Sequence, residues 1–121
     1  MKRLLLWLAV GLKAMTPFVF LLDLEYKRHP RQWWIDQVRE KMKLLKPYEG
    51  EFFDCDDAAA ALKGLFSLDK ENGIGVVYGK SGGAGHAWNI ILLDDRVAFL
   101  EPHTGYIFDG GHGYRSFVVV L

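Results

Sequence analysis

His86-Ala87-Trp88-Asn89-Ile90-Ile91-Leu92-Leu93-Asp94-Asp95-Arg96-Val97-Ala98-Phe99-Leu100-Glu101 is the stretch that decides the fold. It alternates from His86, runs apolar to Leu93, meets a turn signal at Asp94-Asp95, and returns as a second strand from Arg96 to Leu100. A two-residue turn sets the register, with Leu92 facing Val97, Trp88 facing Glu101 and His86 facing His103. Side chains alternate along strands, so His86, Trp88, Glu101 and His103 share one face, and His86 and Glu101 become diagonal neighbours. Slipping the register by one residue would break this arrangement, so the inference rests on the turn length.

Outward from the hairpin, Gly73 to Tyr78 reads as the preceding strand. Lys80-Ser81-Gly82-Gly83-Ala84-Gly85 reads as a flexible loop. Its glycines match neither a P-loop nor a dinucleotide-binding pattern, which makes it a hinge or rim and not a phosphate cradle. Thr104 to Phe108 and Tyr114 to Leu121 complete the sheet, with Asp109 to Gly113 as a glycine-rich turn. Upstream, Trp34, Ile35, Val38, Met42 and Leu45 recur at helical spacing within Arg31 to Leu45, and Pro47 stops that helix. Lys41, Lys43 and Lys46 near its end read as a solvated face. Phe18 to Tyr26 reads as a strand or extended lead-in, Tyr48 to Phe53 as an acidic approach, and Cys55 to Phe66 as a second helix. Helices first and antiparallel strands later indicate an α+β fold with N-terminal helices packed on a mainly antiparallel sheet.

Cys55 is the sole cysteine, so no internal disulfide forms. Asp54 suits an N-cap and Asp57 the third helical position, which places Cys55 in the first turn, where backbone N–H groups favour a thiolate. Asp54, Asp56 and Asp57 oppose that by their charge, so a histidinium or a hard cation is expected nearby. A cysteine at a helix start, a histidine at a strand start and a carboxylate on the next strand are the parts of a thiol nucleophile, its base and the group orienting that base. The plain alternative for Cys55 is a small buried hydrophobe.

The chain has 121 residues with 15 basic and 15 acidic side chains and a net charge of +0. That balance excludes a nucleic-acid partner chosen by bulk charge. Residues 1–22 form an apolar N-terminal segment, with 23–121 as the domain proper. Lys2-Arg3 followed by Leu4 to Leu12 has the opening of a signal peptide without a cleavage site. As a span it would bury Lys13 at a cost of roughly 2.5–3.5 kcal/mol. The segment therefore reads as a buried or partner-facing helix, or as a signal or membrane anchor that brings 1–22 to a bilayer; the rest reads as a soluble domain.

Phe53-Asp54-Cys55-Asp56-Asp57-Ala58, Gly85-His86-Ala87-Trp88-Asn89 and Glu101-Pro102-His103-Thr104-Gly105 together resemble the papain-like cysteine protease domain at the C-terminus of a fungal agglutinin, with small phage and bacterial relatives. The resemblance implies a papain-like core, Cys55 as nucleophile, His86 as base and Glu101 as orienting carboxylate, acting on peptide or isopeptide bonds of a protein substrate. It also implies activating calcium, with Asp56 and Asp57 as first ligands and Asn89 or Glu101 completing the set. His103 stands where an amide is more usual, and Glu49-Gly50-Glu51 stand where papain-type enzymes carry an oxyanion glutamine. Two other outcomes stay open: acyl transfer to an amine by the same groups, and a non-catalytic, metal-stabilised binding or structural domain. Cys55, His86 and His103 as soft-metal ligands lack any supporting spacing.

Overall fold

The computed structural model describes residues 2–47, 49, 54–111 and 113–121. The acidic approach other than Glu49, Phe53 of the cysteine motif, and His112 lie outside the described residues. Three helices, α1 (Arg3–Ala14), α2 (Arg31–Met42) and α3 (Cys55–Leu68), accompany six strands. These are β1 (Val19–Phe20), β2 (Ile74–Ser81), β3 (Ala84–Leu92), β4 (Val97–Leu100), β5 (Ile107–Phe108) and β6 (Tyr114–Val120). They form one sheet in the order β1-β6-β2-β3-β4-β5, antiparallel except for the parallel β1–β6 pair.

Helices cover the sheet on both sides. Leu6, Val10 and Ala14 of α1 pack on Val77, Trp88, Ile90, Leu92 and Phe99. On the other face Trp34 and Val38 of α2 and Leu62 and Phe66 of α3 pack on Ile74, Ile91, Ala98 and Leu100. β3 is thus buried on both faces, which accounts for its unbroken apolar run after Asn89. The polar exception, Asn89, faces α3 and donates to Ala59 O and Gly75 O, each at 2.9 Å, tying helix to sheet. The register of the β3–β4 hairpin is the expected one, with Leu92 opposite Val97 and Asn89 opposite Leu100.

Several elements differ from the sequence reading. The loop before His86 is a tight hairpin: Gly82 and Gly83, with φ of 59° and 84°, join strands that stay paired up to Ser81 and Ala84. Two consecutive positive-φ residues match the twist of the flanking strands, so there is no hinge. The β3–β4 ladder stops at Leu100, because the chain turns at Glu101, whose carbonyl accepts from Gly105 N at 2.8 Å. His103 therefore leaves the shared face and is exposed. The apolar start folds as a short helix. α1 has 12 residues, Met15 ends it with φ of 56°, and among the described residues no helix is long and apolar enough to cross a membrane. A span needs about 20 residues. Lys13, the charge that sat badly in a bilayer, reaches Asp109 at 3.1 Å.

Candidate functional site

His86 enters β3 opposite Gly79, whose missing side chain leaves room for the ring tip of Trp88. A Cβ on Gly79 would lie 2.0 Å from Arg115 O and 2.9 Å from Trp88 Cη2. At this point β6 carries a bulge: Tyr78 pairs with Val118 but Gly79 with Ser116, so Phe117 is the extra residue. The bulge carbonyl of Phe117 accepts from Thr16 Oγ1 at 2.8 Å, and the stretch of β6 before the bulge is aimed so that Tyr114 reaches the hairpin.

His86 and Glu101 meet as the hairpin geometry requires, with His86 Nε2 to Glu101 Oε2 at 2.7 Å and both side chains mostly buried. Tyr114 completes the contact by donating its hydroxyl to the same carboxylate oxygen at 3.0 Å. The rings of His86, Trp88 and Tyr114 form a cluster, with His86 stacked on Trp88 at 5.6 Å and Tyr114 edge-on to Trp88 at 4.9 Å. Burial, and then the bond and charge from Glu101, raise the Tyr114 pKa above its usual 10.0. Its phenol stays a proton donor through the neutral range. Glu101 Oε1 is buried with no hydrogen-bond partner among the described residues, and so offers an acceptor to a hydroxyl or amide.

Cys55 opens α3 as expected, with Asp54 N donating to Asp57 Oδ2 at 3.2 Å in a capping box. It is half-buried against Ala59, Val76 and Ala87. That is the α3 side of β3, whereas Trp88 packs on the α1 side, and no hydrogen bond joins the Cys55 sulfur to His86 or Glu101. Carboxylate oxygens of Asp54, Asp56 and Asp57 lie within 4.8 Å of one another. Glu101 lies outside that group, bound to His86 and Tyr114. Asn89 has its NH₂ committed to Ala59 and Gly75, while its Oδ1 has no partner among the described residues.

Tyr114 escapes sequence reasoning because its place depends on the long-range β2–β6 pairing and its bulge. A groove of about 730 Å³ escapes it for the same reason, being walled by α1, the turn after β5 and the start of β6. Tyr114, Arg115 and Ser116 line it with Asp109 and Lys13. Asp109 accepts from Lys13 at 3.1 Å and from Arg96 at 3.0 Å. Those two cations hold its carboxyl below the usual 3.8, the Arg96 hydrogen bond contributing most. Arg115 has no ion pair among the described residues and lies 5.7 Å from the Phe117 ring centre.

No family model and no curated protein matches the chain. Solved structures do. One is described as a PSL1a–E64 complex, with 24% identity and a TM-score of 0.73 over 85% of this chain and 43% of that one. Another is the Polyporus squamosus lectin bound to the human-type influenza-binding epitope Neu5Aca2-6Galb1-4GlcNAc, with 22% identity and a TM-score of 0.74 over 95% of this chain and 48% of that one. The chain thus spans less than half the length of these neighbours. At such identities the likeness establishes the α+β fold, and it is a fold in which a lectin is built. This corrects the resemblance drawn from the motifs: one of the chains sharing the fold is described as a lectin, and neither is described as a papain-like cysteine protease. Calcium-dependent hydrolysis of peptide or isopeptide bonds, with its acyl-transfer variant, is withdrawn with it.

Proposed function

We propose that this chain is a non-enzymatic binding domain whose ligand is a carbohydrate. The observation that carries the reading is the fold shared with a lectin solved with a sialylated trisaccharide. The groove supports it chemically. A sugar ring presents hydroxyls at its rim and an apolar C–H face. Tyr114 offers an aromatic surface, Ser116 a hydroxyl and Asp109 a carboxylate, on a wall stiffened by the Lys13–Asp109–Arg96 link. Arg115 suits an acidic sugar, since a guanidinium takes a carboxylate in two parallel hydrogen bonds. The test is a titration of the purified chain with sialylated and neutral lactosamine oligosaccharides, followed by amide chemical shifts, with Arg115→Ala beside it. Shifts confined to groove residues and weakened in the variant are expected. No shifts at millimolar concentrations of either sugar would sink the reading.

A second proposal concerns Cys55, favoured by the 2.7 Å His86–Glu101 contact at the head of β3. His86 and Glu101 act as one unit, a proton acceptor and the carboxylate that orients it, and Cys55 supplies an ionisable thiol at the start of α3 on the other face of β3. A hard cation such as calcium, held by Asp56 and Asp57 with Asp54, offsets the acidic charge beside the thiol. The clustered oxygens and the buried Asp54 Oδ1, which has no hydrogen-bond partner among the described residues, fit such an ion. Iodoacetamide labelling against pH, with and without calcium, tests both parts. Labelling that ignores calcium and His86→Ala, and that follows an ordinary thiol titration near about 8.5, refutes them.

A further inference from the structure

The second half of α2 and the turn after β4 enclose an open groove of about 440 Å³, which shares no residue with the carbohydrate groove or with the cluster around Cys55. Its floor is apolar. Ile35, Val38 and Met42 recur at three- and four-residue spacing and so share one side of α2, where Val38 is buried. Gly105 forms the opposite wall, and its missing side chain keeps the groove open: with φ of 75°, a Cβ on it would lie 3.0 Å from Met42 Sδ and 3.6 Å from Val38 Cγ1. The rim is basic, with Arg39 and Lys43 one helical turn apart. Arg39 is exposed and has no ion pair among the described residues, while Asp36, one turn before it, accepts from Gln32 at 2.9 Å. Lys43 pairs with Glu40 at 2.9 Å, both mostly exposed, and a pair of that kind is worth little. Thr104 stands beside them with a hydroxyl that accepts from Tyr106 N at 3.2 Å and keeps its own hydrogen to donate.

We infer that this groove binds a free carboxylate carried on an apolar chain, the chemistry of a medium-chain fatty acid. Floor and rim lie side by side, so one ligand satisfies both only if it is apolar along its body and anionic at its end. The floor takes the chain without demanding a fixed shape, since Met42 is unbranched and adapts to irregular partners. At the rim the Arg39 guanidinium suits a carboxylate in two parallel hydrogen bonds, with Lys43 and Thr104 donating alongside. Two full positive charges outweigh the roughly half negative charge that the C-terminal end of α2 presents at the same place. A short anion without a chain would leave the floor in water. The volume lies within the roughly 300–1,000 Å³ of small-molecule sites, and Asp36 and Glu40, exposed on the same helix beside the cations, would repel an anionic bilayer.

The test is a titration of the full chain with octanoate, octylamine, butanoate and inorganic phosphate at neutral pH, read from amide chemical shifts. Saturable shifts at Ile35, Val38, Met42 and Gly105 are expected with octanoate. Butanoate, the same carboxylate on a shorter chain, should bind at least tenfold more weakly, and octylamine, the same chain with the opposite charge, should not displace octanoate. Arg39→Glu/Lys43→Glu should weaken octanoate at least tenfold with an unchanged circular dichroism spectrum, because both side chains stand in solvent. If the spectrum changes, Arg39→Gln replaces the double variant under the same criteria. The absence of saturable shifts at millimolar octanoate overturns the inference. So does octylamine binding as tightly as octanoate, which makes the groove apolar only, and so does phosphate binding as tightly, which makes it basic only. Flotation with phosphatidylcholine/phosphatidylserine vesicles closes the set: a chain that binds vesicles but not free octanoate makes the bilayer the occupant and refutes the free carboxylate.

Discussion

Gly79→Ala is the sharpest perturbation of the site's framework. Gly79 has an ordinary backbone conformation, so the substitution carries no torsional penalty, and the whole effect is steric. The added methyl would lie 2.0 Å from Arg115 O and 2.9 Å from Trp88 Cη2. The first of these is backbone in a hydrogen-bonded ladder, so β2 and β6 must part by more than an ångström at the bulge. Overpacking of this kind costs typically 1–3 kcal/mol, and a backbone clash belongs at the top of that range, about 3 kcal/mol. For a chain of this size that corresponds to roughly 10 °C in Tm. Gly85→Ala is the matched control: it sits one pair further along the same ladder, opposite Lys80, with nothing within 4 Å of its added Cβ. There the loss of chain freedom in the unfolded state should make alanine neutral or stabilising by about 0.4–1 kcal/mol. Urea denaturation monitored by tryptophan fluorescence measures both variants. Near-ultraviolet circular dichroism reports whether Trp88 has left its stack with His86. A Gly79→Ala variant within about 0.5 kcal/mol of wild type would refute the claim that backbone packing at this glycine sets the positions of Trp88 and Tyr114.

Asn89→Leu should cost about 2–4 kcal/mol, because it strands Ala59 O and Gly75 O in the interior; a loss under about 1 kcal/mol in urea would show that the amide is not what ties α3 to the sheet. Tyr114→Phe should cost about 1 kcal/mol at neutral pH for the lost bond to Glu101. Because the folded pKa of Tyr114 is raised from 10.0, its contribution is full below 10.0 and declines as pH rises through the higher folded value. Wild type should therefore lose stability above pH 10.0 more steeply than the variant, and parallel Tm–pH curves would contradict it. Asp109 works in the opposite direction. Its folded pKa lies below 3.8, so its contribution is present above 3.8 and disappears as pH falls through the lower folded value. Asp109→Asn should flatten the acid limb of the Tm–pH curve between pH 2 and 6, whereas an unchanged limb would remove Asp109 from the acid response.

What the sequence discloses about this site is what local chain geometry controls. Asp94-Asp95 fixes the β3–β4 register, and from it the His86–Glu101 contact follows, although the partners are 15 residues apart. Asp54 and Asp57 announce the start of α3 through a capping box that needs only four consecutive residues. Tyr114 is not legible, since it reaches Glu101 only after β6 has crossed the sheet, paired with β2 and taken up a bulge at Phe117. Asn89 is another case: nothing in its local sequence reveals that its NH₂ satisfies two backbone carbonyls in the core. The glycines before His86 suggested mobility, but two adjacent positive-φ residues make a tight turn, and composition alone does not separate the two.

Lys13 joins the N-terminal helix to the groove, and it explains why a hydrophobic leader-like segment is part of this fold. Read in sequence, it is a charge misplaced in a membrane segment. In the structure it crosses 96 residues of chain to Asp109, the carboxylate that Arg96 holds from the other side. The pair fixes the far end of α1 over the sheet, next to the exposed Met15 and next to Tyr114 in the groove wall. Docking of α1 and shaping of the groove are thus one event. An exposed ion pair contributes at most about 1 kcal/mol, so the buried Leu6, Val10 and Ala14 supply the stability of that docking. What Lys13 and Asp109 add is the choice of one orientation, which sets the helix end against the groove wall.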